Sequence, residues 1–464
     1  MNWFKKYWGR EGGYKDILSI AWPLILSTSS ITIQQFVDRV FLARHSAEEL
    51  AAAVPAGALS WVIIGFFIGI TSYIGTFVAQ YNGAERKEKI PICITQGIYL
   101  SIIFSCICLL VIPFADTIFK LTGHGIVLAE MEKKYFLIMI YFSFISIVSC
   151  AFSSFFIGLG KTQVMLWITL VTTVINIILD WIMIFGKFGC PEMGIAGAAY
   201  ATQIACFVGL LIFIVIYFND RNRKEYHTHK HWKIDFSMIG RIFKFGYPNG
   251  IQCLLEGAIW TLFILLVGRI SMEDLAATNI AWQVNAVAFM PIFGIATAVS
   301  VLVARELGKN CIQTLGTTIK SSLHIAILYN ALMAILYVVT PMLFINLFMK
   351  DIDTVSQANI VKLSKMLLRF LAVYVIVDSI GIILGSVLRG AGDTLFVMLS
   401  AVICGFVIVV APTYYFCQWK VDNALAYSWV TVVIFVFTIT SIFAFRVKQG
   451  KWKNMRIIEP EITE

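Results

Sequence analysis

At 464 residues, 59% of them hydrophobic and only 14% charged, the chain falls outside soluble globular composition, where about a quarter of residues carry charge. Apolar runs of ~20 residues recur along its length, each able to cross the ~30 Å core of a bilayer as a helix, and the period-two alternation of a membrane β-barrel is missing. The net charge of +9 is read as basic loops at one membrane face rather than as a nucleic-acid surface, so an all-α polytopic membrane protein surrounded by lipid is expected.

Residues 1–15, MNWFKKYWGREGGYK, mix Lys and Arg with Trp and Tyr, which predicts an interfacial segment rather than a cleavable signal. Six spans follow, at about 16–43, 52–80, 92–113, 134–158, 163–186 and 194–218. The longest polar connection, NDRNRKEYHTHKHWKID, falls between the sixth and seventh spans and marks a cytoplasmic linker at 221–240. It is read as solvated and charged, with His227, His229 and His231 facing water rather than a metal. Six further spans are expected at about 241–268, 277–304, 318–345, 366–389, 394–417 and 422–446. A tail at 447–464 ends in EPEITE, which is expected to be disordered. The spans group into an N-lobe, 16–220, and a C-lobe, 241–446. Placing both ends inside puts about 24 of the 36 Lys and Arg on that side, so the positive-inside rule predicts cytoplasmic termini in a cytoplasmic membrane.

The two halves repeat. At an offset of 225 residues, Pro23 meets Pro248, Arg44 meets Arg269, Leu50 meets Leu275, Val78 meets Val303 and Gly83 meets Gly308. After an insertion the offset becomes 232, and Gly158, Gly160 and Thr162 meet Gly390, Gly392 and Thr394. An even number of spans per repeat makes the repeats parallel, about an axis along the membrane normal. That is transporter architecture, with a cleft between the lobes. Pro23 and Pro291 are expected bending points.

Most of the ten cysteines, Cys93, Cys106, Cys108, Cys150, Cys206, Cys253 and Cys404 among them, sit in apolar spans without zinc-ligand spacing and are read as packing residues. No nucleotide-binding motif or catalytic triad appears, so neither an enzyme nor a cofactor is expected.

Four carboxylates fall inside spans: Asp38, Asp180, Glu256 and Asp378. Each is costly there and is a functional candidate for that reason. Each follows a polar residue by one turn, on the same helix face: Gln34, Asn176, Gln252 and Tyr374 respectively. At 1.5 Å per residue, Asp38, Asp180 and Thr202 lie at a common depth of roughly 9–12 Å below the outer boundary. With Asn176 a turn deeper, they predict one oxygen-rich site in the first lobe. Glu256 and Asp378 fall nearer mid-span in the second, with Gln283 as a further polar candidate. A carboxylate taken out of water holds a proton more readily, and its oxygens also suit Na⁺.

At these residues the chain resembles the multidrug and toxic compound extrusion (MATE) family, and its NorM-like bacterial members in particular. The stretches that carry the resemblance are QQFVDRVFLARHSAEELAAA, GTFVAQYNGAER, NIILDWIMIFG, MGIAGAAYATQIA and SVLRGAGDT. The resemblance implies twelve helices in two six-helix lobes arranged as a V. It implies antiport of organic cations, and often of other drugs, against Na⁺ or H⁺ at a bacterial inner membrane. It maps the first-lobe ion site onto Asp38, Asn176, Asp180 and Thr202, and a second-lobe cation site onto Glu256 and Asp378. Two departures stand out: Arg39 follows Asp38 where a small polar residue is usual, and Ala43 and the His45–Ser46 pair alter the end of the first span. Arg39 is expected to snorkel to the interface.

The reading is therefore a cation-coupled efflux antiporter, with Na⁺ preferred over H⁺ as the coupling ion, acting as a monomer. Trp282, Phe289, Met290 and Tyr374 are candidates for the cavity wall, where aromatic faces attract cations. The competing reading is a lipid-linked oligosaccharide flippase of the same superfamily. It is disfavoured because the mid-span charges are acidic, whereas a pyrophosphate calls for basic residues.

Overall fold

In the computed structural model, residues 8–121, 125–349, 355–419 and 421–459 are described. Residues 1–7 of the expected interfacial segment and 460–464 of the acidic end lie outside them. Among the described residues eleven helices are long and apolar enough to cross a membrane, and a pair bent by 43° makes a twelfth.

In chain order these are α1 (Tyr14–His45), α2 (Ala47–Gly83), α3 (Lys89–Leu109), α4 (Ile126–Tyr141 and Ser143–Gly158), α5 (Thr162–Ile184) and α6 (Ile195–Tyr217). The second half supplies α7 (Phe236–Gly268), α8 (Met272–Gly308), α9 (Ile312–Val339), α10 (Val355–Ala391), α11 (Thr394–Gln418) and α12 (Ala424–Gln449). Several run beyond the apolar stretch that announces them, because a helix continues past the hydrocarbon wherever its backbone stays bonded.

Proline chemistry explains the boundaries that differ from expectation. The ninth span ends at Val339 rather than 345, because Thr340 precedes Pro341 and leaves the helical region (φ −127°, ψ 50°). In α11 a wider π-turn over Gly405–Val410 precedes Pro412. It accommodates a residue that lacks an N–H and whose ring crowds the preceding turn. Pro23 and Pro291 sit inside continuous helices.

The repeat is visible in the packing. A side chain at Gly158 would overlap Gly75 O, and one at Gly390 would overlap Ser300 O. Both pairs are repeat equivalents, so α4 meets α2 as α10 meets α8. Ser46 caps α2 through Glu48 N, and its equivalent Ser271 caps α8 through Asp274 N.

The chain forms two compact units. One unit holds the chain up to Ile25 together with Leu255–Glu459; the other holds Leu26–Leu254. The first part of α1 thus packs with the second repeat, and the first part of α7 with the first repeat. The physical reason is again close approach at glycine. Gly69 faces the Gly250 backbone, and its equivalent Gly294 faces Ala21 and Ile25. Asn249 Nδ2 donates to Gly69 O at 2.7 Å, and Arg241 Nη2 donates to Tyr81 OH at 3.0 Å.

The described residues nearest the two ends pack against the first unit. Tyr14 is buried, with its OH 3.1 Å from His324 Nδ1. Glu11 pairs with Lys309 at 2.8 Å. In the tail Trp452 is buried and Arg456 donates to Asn310 Oδ1 at 3.0 Å.

Candidate ion and substrate sites

The first site is built on three helices of the unit Leu26–Leu254. α5 brings Asn176 and Asp180, one turn apart, into complete burial. α1 supplies Gln34 and Asp38, and α6 supplies Thr202. With its nitrogen turned to the acids, the Asn176 amide donates to Asp38 Oδ1 at 3.0 Å and to Asp180 Oδ2 at 3.2 Å. Its other amide atom then faces Thr202 Oγ1 at 3.4 Å, and the Thr202 hydroxyl donates to Ala198 O at 3.0 Å. Gln34 Nε2 lies 3.2 Å from the same Asn176 nitrogen. The structure thus gathers the other four first-lobe candidates around the Asn176 amide.

Three further residues join them. Thr173 Oγ1 donates to Gln34 Oε1 at 3.5 Å, one turn before Asn176. Tyr135 on α4 lies within electrostatic reach of both Asp38 and Asp180, and Cys206 on α6 within reach of Asp38. Thr173 was legible as the next rung of the Asn176–Asp180 stripe. Tyr135 carried no such signal, because it stands alone in an aromatic-rich stretch.

Arg39 is exposed although it follows Asp38, as expected for adjacent helical residues about 100° apart. The end of α1 is occupied instead by a clasp. His45 Nδ1 meets Glu49 Oε2 at 2.6 Å and His45 Nε2 meets Glu192 Oε1 at 2.8 Å. Glu49 is buried at the start of α2, against Gly194 (φ +51°), where a side chain would overlap its carboxylate. The clasp joins the end of α1 to the start of α2 and to the α5–α6 connection. It lies beyond the apolar span. Burial lowers the affinity of His45 for its proton, but hydrogen bonds to Glu192 and Glu49 outweigh this and raise it above the ordinary histidine value.

The second site lies in the other unit. Glu256 on α7 and Asp378 on α10 are half-buried and close enough for their charges to interact. Tyr374, one turn before Asp378 and within reach of its charge, is buried in the core of this unit. It therefore packs inside rather than lining an open wall. Gln252 is buried one turn before Glu256 on α7. Gln283 is exposed on α8. Trp282 packs into an aromatic cluster, with ring centroids 5.0 Å from Trp260 and 5.7 Å from Trp429, and Phe289 meets Phe293 edge-on at 4.5 Å. Among the described residues no three His, Cys, Asp or Glu side chains gather as a metal cluster.

Among the described residues, up to twelve candidate membrane helices, an internal repeat in the sequence and acids inside the spans define a polytopic helical protein of transporter type. The chain belongs to the MatE family, the multidrug and toxic compound extrusion transporters, whose model matches residues 23–182 and 248–415. The two matches begin at the equivalent prolines of the two repeats. It is 26% identical over 399 residues to a probable multidrug resistance protein NorM of Rhizobium meliloti (strain 1021), covering 85% of this chain and 84% of that one. It is 27% identical over 384 residues to the multidrug resistance protein NorM of Vibrio parahaemolyticus serotype O3:K6, covering 82% of each. Its fold matches an outward-facing multidrug resistance MATE family transporter of the MOP superfamily, with TM-score 0.85 at 20% identity over 95% of this chain and 97% of the other. A eukaryotic MATE transporter matches with TM-score 0.81 at 20% identity over 95% and 96%.

Proposed function

We propose that the protein is an efflux antiporter that exports small organic cations, aromatic drugs among them, in exchange for Na⁺ or H⁺. The observation that carries the reading is the buried Asn176 amide between two carboxylates on different helices. Asp38 and Asp180 meet directly, and two ionised carboxylates that close repel by roughly 3–4 kcal/mol at an effective dielectric of ~20. A single bound cation or proton relieves that repulsion, and its departure restores it. Helices α1 and α5 are thereby held together or pushed apart according to occupancy, which couples the ion to conformation.

The oxygen set of Asp38, Asp180, Asn176 and Thr202 suits Na⁺, a hard cation that prefers carboxylate, carbonyl and hydroxyl ligands; a proton would need only the acids. The four oxygen-bearing residues favour Na⁺ as the coupling ion. Glu256 and Asp378 supply negative charge in the other unit for the organic cation or for a second coupling ion. Binding of substrate and coupling ion to opposed conformations makes their transport an exchange. The names of the NorM relatives support multidrug export. The basic connections support a bacterial inner-membrane location with both termini in the cytoplasm.

The test is ethidium efflux from proteoliposomes energised separately by a Na⁺ gradient and by a pH gradient. Efflux under one or both supports the antiporter. Absence of efflux under both, with translocation of a lipid-linked oligosaccharide, overturns it.

A further inference from the structure

We propose that the linker segment from Lys230 to Phe236 binds the headgroup of an anionic glycerophospholipid in the adjoining leaflet. The segment does not float in solvent. Buried Gln96 on α3 clamps it from both sides of its amide: Nε2 donates to Lys233 O at 2.9 Å, and Oε1 accepts from Asp235 N at 3.0 Å. Tyr99 OH donates to Trp232 O at 2.6 Å. The Trp232 ring stacks on Phe218, with centroids 6.1 Å apart and planes at 19°.

Those anchors set the depth. Gln96 and Tyr99 lie roughly 10 and 15 Å along α3 from Lys89, at 1.5 Å per residue. The linker is thus drawn alongside an apolar span, at the level of headgroups and upper acyl chains.

Its sequence suits that place. HWKIDF alternates polar with apolar residues. Trp232, Ile234 and Phe236 are 46%, 58% and 80% exposed, a surface that water would disfavour and lipid accepts. Lys230, His231 and Lys233 are exposed beside them. The one acid of the segment, Asp235, is engaged, since its Oδ1 accepts from Met238 N at 3.0 Å at the start of α7. A groove of about 860 Å³ runs between Ile92 and residues 231–236. A phosphodiester fits the basic rim and its acyl chains the aromatic side, the pairing of charge and apolar surface that anionic lipid recognition requires.

The experiment is native mass spectrometry of the purified, delipidated full chain given phosphatidylglycerol or phosphatidylcholine. It does not depend on transport, so its failure leaves the antiporter reading untouched. Phosphatidylglycerol should be retained about tenfold more than phosphatidylcholine, and Lys230→Glu with Lys233→Glu should erase the preference, since each basic residue near a charged surface contributes ~5-fold. Lys233→Gln should reduce the preference partway, and it serves where the double variant fails to fold. Equal retention of the two lipids, or an undiminished preference in the variants, overturns the proposal. Displacement of phosphatidylglycerol by millimolar glycerol phosphate also overturns it, because the ligand would then be a soluble phosphate.

Discussion

The amide nitrogen of Asn176 stands 3.0 Å from Asp38 Oδ1, joining α5 to α1 at a residue with no solvent exposure. The contact turns two one-helix polar stripes into a single site. On the proposed mechanism, Asp38→Asn and Asp180→Asn each remove one of the two charges that respond to the coupling ion. Ion-driven efflux in proteoliposomes should fall at least about a hundredfold, as expected when ~3 kcal/mol of coupling is lost. Both variants should remain monodisperse on size exclusion. Full transport by either would refute the role given to the first site.

The second acid pair lies in the other unit and should be separable from the first. Glu256→Gln and Asp378→Asn should weaken ethidium binding, read by fluorescence polarisation, by about 10-fold each, the scale of one lost charge interaction in a partly desolvated site. Na⁺-dependent quenching of tryptophan fluorescence should persist if the first site binds Na⁺. Loss of that signal in these variants would show that the two sites are not independent.

The clasp of His45 with Glu49 and Glu192 predicts a pH signature. A histidine whose affinity for its proton is raised on folding contributes stability that is fully present below its unfolded value near 6.5. The contribution disappears as pH rises through the higher folded value. The melting temperature of the wild type should therefore exceed that of His45→Ala by more at pH 5.5 than at pH 9. A gap independent of pH would mean that the contacts are not charge-assisted.

Repeat-equivalent glycines should respond alike. Gly158→Ala and Gly390→Ala press a methyl group against the backbone of Gly75 and Ser300, and each should cost about 1–3 kcal/mol through overpacking. Gly257→Ala, which meets nothing within 4 Å, should be neutral or stabilising by helix propensity. Thermal unfolding followed by size exclusion ranks the three, and equal tolerance would refute the close-packed interface.

Much of this was legible along the chain. Apolar run length marked the spans, because a helix in lipid must be both long and apolar. The offset of 225 between Pro23 and Pro248 marked the repeat, because equivalent folds keep equivalent turn and packing residues. Asp38, Asp180 and Thr202 could be placed at one depth, with Asn176 a turn deeper, because helical rise is constant.

Depth says nothing about azimuth, however, and azimuth decides which side chains touch. Tyr135 could not be assigned to the acids until α4 was packed against the other helices. Tyr374, by the same logic a cavity residue, proved to be core. The clasp at His45 joins residues 147 positions apart, a separation that no local pattern announces.

The sequence by itself determined what is one-dimensional: how many times the chain can cross a membrane, where the polar rungs fall along each helix, and that the halves are copies. Only the tertiary structure decided which helices share a unit. The first parts of α1 and α7 change partners because Gly69 and Gly294 let backbones approach across residues far apart in the chain. That closeness is a property of two surfaces meeting, and neither helix carries it alone.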